Sequence, residues 1–98
     1  MTEIERLEKA IRDLHGCNSK HIRSVPIHET FQGQTVWQGA VEVFELESHL
    51  QAKIAYAWAY KGADGKTHYV AVLGVPPINS PDDAVKAYVV ADYQKKKT

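Results

Sequence analysis

The sequence predicts an α+β domain: a four-stranded antiparallel meander flanked by an N-terminal and a C-terminal helix, in α-β-β-β-β-α order and two layers. Three observations carry this. Apolar residues recur at helical spacing near both ends, they alternate with a period of two through the middle, and turn-forming residues separate the alternating runs. The 98 residues make one domain, able to bury about two-thirds of its unfolded surface. With 44% apolar and 24% charged residues, disorder, collagen, coiled coil and linker are excluded as descriptions of the whole chain.

Ile4, Leu7, Ile11 and Leu14 recur at three- and four-residue steps with Ala10 beside them, which predicts a first helix with one core-facing stripe. Thr2 followed by Glu5 fits a capping box at its start, and Gly16 stops it. Cys17, Asn18 and Ser19 then favour a turn. From His21 to Phe31, Val25, Ile27 and Phe31 alternate with Ser24, His28 and Thr30, the pattern of a half-buried strand. Pro26 lacks a ladder donor, so this strand lies at a sheet edge or turns the proline to its unpaired side.

Gln32-Gly33-Gln34 reverses the chain into a long strand from Thr35 to about Leu46. Its apolar phase changes, with Trp37, Val41 and Val43 on odd positions and Phe44 and Leu46 on even ones, and a bulge near Gly39 or Glu42 is expected to reconcile them. A third strand runs from about Ala52 to Tyr60, and Gly62-Ala63-Asp64-Gly65 joins it to a fourth from Thr67 to Val75. Pro76 and Pro77 end the sheet. Ser80 caps a second helix with Pro81 at its first position and Asp82 and Asp83 against its positive end. That helix runs to about Gln94 on a stripe of Ala84, Val85, Tyr88, Val89 and Ala91, and residues 95–98 form a basic tail expected to fray.

Four strands make a sheet about 19 Å wide, and two helices each about 10 Å across cover one of its faces. The third strand nevertheless carries Ile54, Tyr56, Trp58 and Tyr60 on one side and Ala55, Ala57 and Ala59 on the other, and the fourth is apolar on both sides too. The alanines are expected to accept the helices while the aromatics point to the second face, with the reverse assignment open. An uncovered apolar face calls for a second subunit or a ligand, and self-complementary patches usually close as two-fold dimers. Strong sheet curvature, folding the aromatics into an enlarged core, is the alternative.

Twelve Lys and Arg balance twelve Asp and Glu, so the overall field that holds a nucleic-acid backbone is absent. The charge is nevertheless uneven along the chain. Between Ser24 and Ala52 stand Glu29, Glu42, Glu45 and Glu47 and no Lys or Arg, a strip that repels phosphate and attracts cations. The one cysteine, Cys17, allows no internal disulfide; with no basic, apolar leader at the start, a cytoplasmic setting is expected. No apolar run approaches the roughly 20 residues of a membrane helix.

His15, Cys17 and His21 put metal-ligand chemistry within a short stretch, but no second Cys or Cys-His pair completes a recognised spacing, and no cofactor is expected. Cys17 as a nucleophile would need His15, His21 or His28 brought beside it. Glu29 shares the phase of Val25, Ile27 and Phe31, and Glu42 falls among apolar neighbours. A carboxylate drawn into such a surface must pair or be pushed toward its neutral form, so either could serve as counter-ion or general acid in a pocket walled by Trp37, Tyr56 or Trp58. Solvation of both at strand edges is the plainer reading.

The helix-strands-helix order resembles double-stranded-RNA-binding domains, but those have three strands and a basic start to the second helix where this chain has Asp82 and Asp83. Thr35-Val36-Trp37, Val41-Glu42-Val43-Phe44 and Val70-Ala71-Val72-Leu73 through Pro76-Pro77 resemble small bacterial proteins of uncharacterised activity carried on integron mobile gene cassettes. That resemblance implies a bacterial source and an α+β oligomer, and assigns no site residues. Two functions are expected in order: a non-enzymatic interaction protein, homodimeric through an apolar sheet face or edge and binding a protein or small molecule; or a small-molecule domain or small enzyme with an aromatic pocket and a buried glutamate, its ligand cationic.

Overall fold

The computed structural model describes residues 2–31, 33–62, 64–76 and 78–97, the side chains at 29, 31, 34–37 and 92–97 excepted. Helix α1 (Glu3–His15) is followed by strands β1 (Ser19–Phe31), β2 (Gln34–Leu46), β3 (Ile54–Lys61) and β4 (Thr67–Leu73), then by helix α2 (Pro81–Lys97). The strands form one antiparallel sheet in the order β1-β2-β3-β4, so the α+β class, the element order and the meander are as the sequence predicts. Gln32, Ala63 and Pro77, three of the expected turn residues, lie outside the described residues, as do the side chains of the basic tail and all of Thr98.

Local chemistry sets the helix ends. Thr2 Oγ1 accepts the Glu5 N–H at 3.2 Å while Glu5 Oε1 accepts the Thr2 N–H at 3.3 Å, the reciprocal capping box. Gly16 ends α1 in the left-handed region at φ 71°, a conformation that costs glycine little. At α2, Ser80 Oγ accepts the Asp83 N–H at 3.2 Å and Asp83 Oδ2 accepts the Asn79 N–H at 3.1 Å, tying the entry loop to the first turn.

The layering differs from expectation. The two helices lie on opposite faces of the sheet, giving three layers in place of two. Leu7 and Ile11 of α1 join Phe44, Leu46, Ala52, Ala55 and Ala57 in one core, whereas Ala84 and Val85 of α2 join Ile27, Val41, Val43, Tyr56 and Trp58 in another. Alternate residues of β3 therefore serve different cores. The alanines of β3 do accept a helix closely, as read from the sequence, but the aromatic side that was expected to stay open is the side α2 covers.

This also removes the need for a bulge near Gly39 or Glu42. Both residues stay in register with β1, because the odd and even apolar positions of β2 face separate cores and each phase is satisfied as it stands. The ladder irregularities fall elsewhere: Ile22 is the extra residue on β1 between His21 and Arg23, and Val36 is the extra residue on β2 opposite Glu29 and Thr30.

Backbone directions follow from the bonds that flank the ladders. Leu46 N donates to Lys53 O at 2.7 Å and Glu47 N to Asn18 O at 2.9 Å, so even residues of β2 face β3 and odd ones face β1. In β1, Arg23, Val25 and Ile27 then bond to β2, and Pro26 is directed outward on an edge strand, where its missing donor removes no ladder bond. At the other edge, Gly74 N donates to Ile54 O at 2.8 Å, so even residues of β4 bond to β3 and Thr67, Tyr69, Ala71 and Leu73 present their amides outward. Two of those outward carbonyls are occupied: His15 Nε2 donates to Ala71 O at 3.0 Å and Val75 N to Leu73 O at 3.0 Å.

An aromatic chain fastens α2 over the sheet. Trp58 meets Tyr88 edge-on at 5.7 Å, the Tyr88 and Tyr60 hydroxyls are 2.8 Å apart, and Tyr60 stacks on His68 at 5.3 Å. Among the described residues no helix is long and apolar enough to cross a membrane.

Trp58 is 1% exposed and Leu50 fully exposed. Trp58→Ala is expected to lower unfolding free energy by about 3–5 kcal/mol and Leu50→Ala by less than about 0.5 kcal/mol, as measured by urea denaturation.

Candidate functional site

Glu42, His21 and Ser24 form a polar cluster on the α1 side of the sheet, where β2 and β3 part. The β2–β3 ladder runs from Glu45↔Ile54 to Glu42↔Ala57 and stops there. Gln38 and Ala40 of β2 continue to direct their amides toward β3, and Ala59 of β3 directs its own back, but no ladder pair joins them. A groove of about 520 Å³ occupies the parting, lined by Gln38, Gly39 and Ala40 on one wall, by Ala59 on the other, and by Glu3 and Ile4 of α1.

Glu42 closes the inner end. Its Oε1 accepts from His21 Nε2 at 2.8 Å and from Ser24 Oγ, while the carboxylate side chain is 12% exposed. The two donors come from β1 at a spacing of three, which in a regular strand would put them on opposite faces. The extra residue Ile22 corrects the parity, so His21 lies opposite Phe44 and Ser24 opposite Glu42 on the same side. Phe44, fully buried, sets the tilt of the imidazole from 5.3 Å away. The carboxylate is thus oriented by the backbone irregularity and by the core beneath it.

The chemistry this permits is limited and clear. Ser24 and His21 both meet the glutamate, so the hydroxyl's partner here is a carboxylate and not the imidazole. Ser24 and His21 together orient the carboxylate through one of its oxygens. Glu3 adds a second acid, and among the described lining residues the base is His21, with no Lys or Arg.

The residues singled out in the sequence do not assemble as one pocket. Tyr56 and Trp58 are buried under α2, on the face of the sheet opposite Glu42. Glu29 and Trp37 oppose one another in the β1–β2 register, and their side chains lie outside the described residues. Sequence reading missed His21 and Ser24 as partners of Glu42, since their spacing carries the wrong parity until the bulge is known. Of the metal-ligand residues, His15 is engaged with Ala71 O, Cys17 packs against the α1 core and His21 holds Glu42. Among the described residues no group of three His, Cys, Asp or Glu is placed to hold a metal ion.

Burial raises the Tyr56 phenol above its ordinary value of 10.0, opposed by the Arg23 charge and assisted by that of Asp83. An acid whose folded pKa is raised contributes its stability in full below the unfolded value and loses it as pH climbs above that value. Stability is therefore expected to fall as pH rises beyond about 10 and to fall less steeply in Tyr56→Phe, as read from denaturation midpoints on an alkaline series. Compared with protein-family models, curated proteins and solved structures, the chain matches none of them, so the reading of function rests on the groove and its chemistry.

Proposed function

We propose that this chain is a small non-enzymatic binding module whose working surface is the groove between β2 and β3, and that the group it binds is cationic. The observation that supports this reading is the Glu42 carboxylate, mostly withdrawn from water and oriented by two donors on one oxygen, in a described lining that sets two acids, Glu42 and Glu3, against one base, His21. Both donors fall on one oxygen, so the carboxylate offers its second oxygen to a cation. Glu3 at the rim raises the local concentration of cations.

Titration of the ¹⁵N-labelled protein with 1,5-diaminopentane tests it. Amide shifts are expected at Gln38, Gly39, Ala40, Glu42 and Ala59, with affinity reduced on the order of tenfold or more in Glu42→Gln. Shifts scattered over the surface and unchanged in that variant would remove the reading.

Self-association through β4 is a second reading, favoured by the outward amides of Thr67, Tyr69, Ala71 and Leu73 on an apolar, half-buried edge strand. The covered aromatic face no longer supplies a reason for a dimer; this edge does. Native mass spectrometry over a concentration range is expected to give a dimer, with hydrogen exchange at the Tyr69 amide slowing as it forms. A monomer at every concentration excludes this second reading.

A further inference from the structure

We infer, resting on the reading of the groove as a cation site, that its occupant is an extended basic segment of a partner protein, which pairs with the open backbone of β2 and sets a lysine or arginine against Glu42. Two features of the groove lie side by side and ask for different things. Two carboxylates, Glu42 and Glu3, against the one imidazole of His21 ask for a positive charge. The row of Gln38 and Ala40 amides, directed toward a strand that has turned away, asks for hydrogen-bond partners.

A small amine satisfies the first and leaves the second to water. An extended peptide satisfies both, since strand addition supplies main-chain bonds at every second residue while one side chain reaches the specificity group. The wall is suited to that approach: Gly39 carries no side chain, Ala40 carries a methyl, and Gln38, Gly39 and Ala40 are all exposed. Strand pairing over these three positions runs about 10 Å, so a segment of roughly five residues spans the wall and reaches Glu42.

Charge decides between a partner and a second copy. From Ser24 to Ala52 the chain has four glutamates and no Lys or Arg, so two β2 edges brought together would face acid with acid. The lysines at 95–97 belong to helical backbone in α2, which has no extended edge to offer. A basic segment from another protein supplies both the counter-charge and the strand.

The probe is an acetylated, amidated peptide of alternating valine and threonine with one central lysine, compared with the same peptide carrying glutamate and with a version N-methylated on alternate backbone amides. With the lysine peptide, amide shifts at Gln38, Gly39, Ala40 and Ala59 and slowed hydrogen exchange at Ala40 are expected. Affinity is expected to fall on the order of tenfold to a hundredfold with the glutamate peptide and in Glu42→Gln. The N-methylated peptide, tested on unaltered protein so that no folding defect intervenes, is expected to lose binding to a similar degree. Equal binding of the N-methylated and parent peptides, or of 1,5-diaminopentane and the parent peptide, overturns strand pairing while leaving a cation groove in place. Failure of every cation to shift the groove amides overturns the cation groove as well.

Discussion

The structure depends on one strand that is apolar on both sides. Ala55 and Ala57 leave room on one face of β3 for α1 to approach closely, and Tyr56 and Trp58 fill the other face with bulk that needs its own cover. Neither face can be left to water. The chain has two helices, and the economical solution is one on each side, which makes β3 the shared wall between two cores. Everything else is arranged around that wall: the split phase of β2, the long reach of β1 to meet α2, and the aromatic chain through Tyr88 that fixes the second helix.

The groove is a by-product of the same arrangement. β3 and β4 stay paired through Lys61↔Thr67, whereas β2 pairs with β1 far beyond its last contact with β3. Two hairpins joined along a short central ladder twist apart beyond it, as right-handed strand twist requires. With β1 regular, His21 and Ser24 could not both reach Glu42. Ile22 makes the parting a polar site by turning His21 and Ser24 to the same side as Glu42, so a single inserted residue determines what chemistry the notch can perform.

Much of the fold was legible in the sequence because short-range rules govern it. The helix ends rest on Thr2, Glu5, Gly16 and Ser80, whose capping chemistry acts within a few residues. Pro26 announced an edge strand, since a missing donor is tolerated at few places in a sheet. What could not be read was which face each helix takes, because a strand apolar on both sides is compatible with either choice. The error over β2 followed from that: with one covered face its phase change looks like a bulge, with two it is ordinary alternation. For the site, Glu42 was legible as an acid among apolar neighbours, but its partners were hidden by a bulge no local motif declares. The aromatics took the weight of the pocket reading, and Tyr56 and Trp58 belong to the core.

The two outer edges of the sheet are unequal, and the inequality bears on how copies of this protein can meet. Pro26 removes a donor from the outward side of β1, while β4 keeps its outward amides at Tyr69 and Leu73. A sheet that can extend from both margins can add copies without end, the geometry of a fibre. Pro26 interrupts the outward run on β1 between Ser24 and His28, so a strand added at this margin would lose one ladder bond that β4 can still supply.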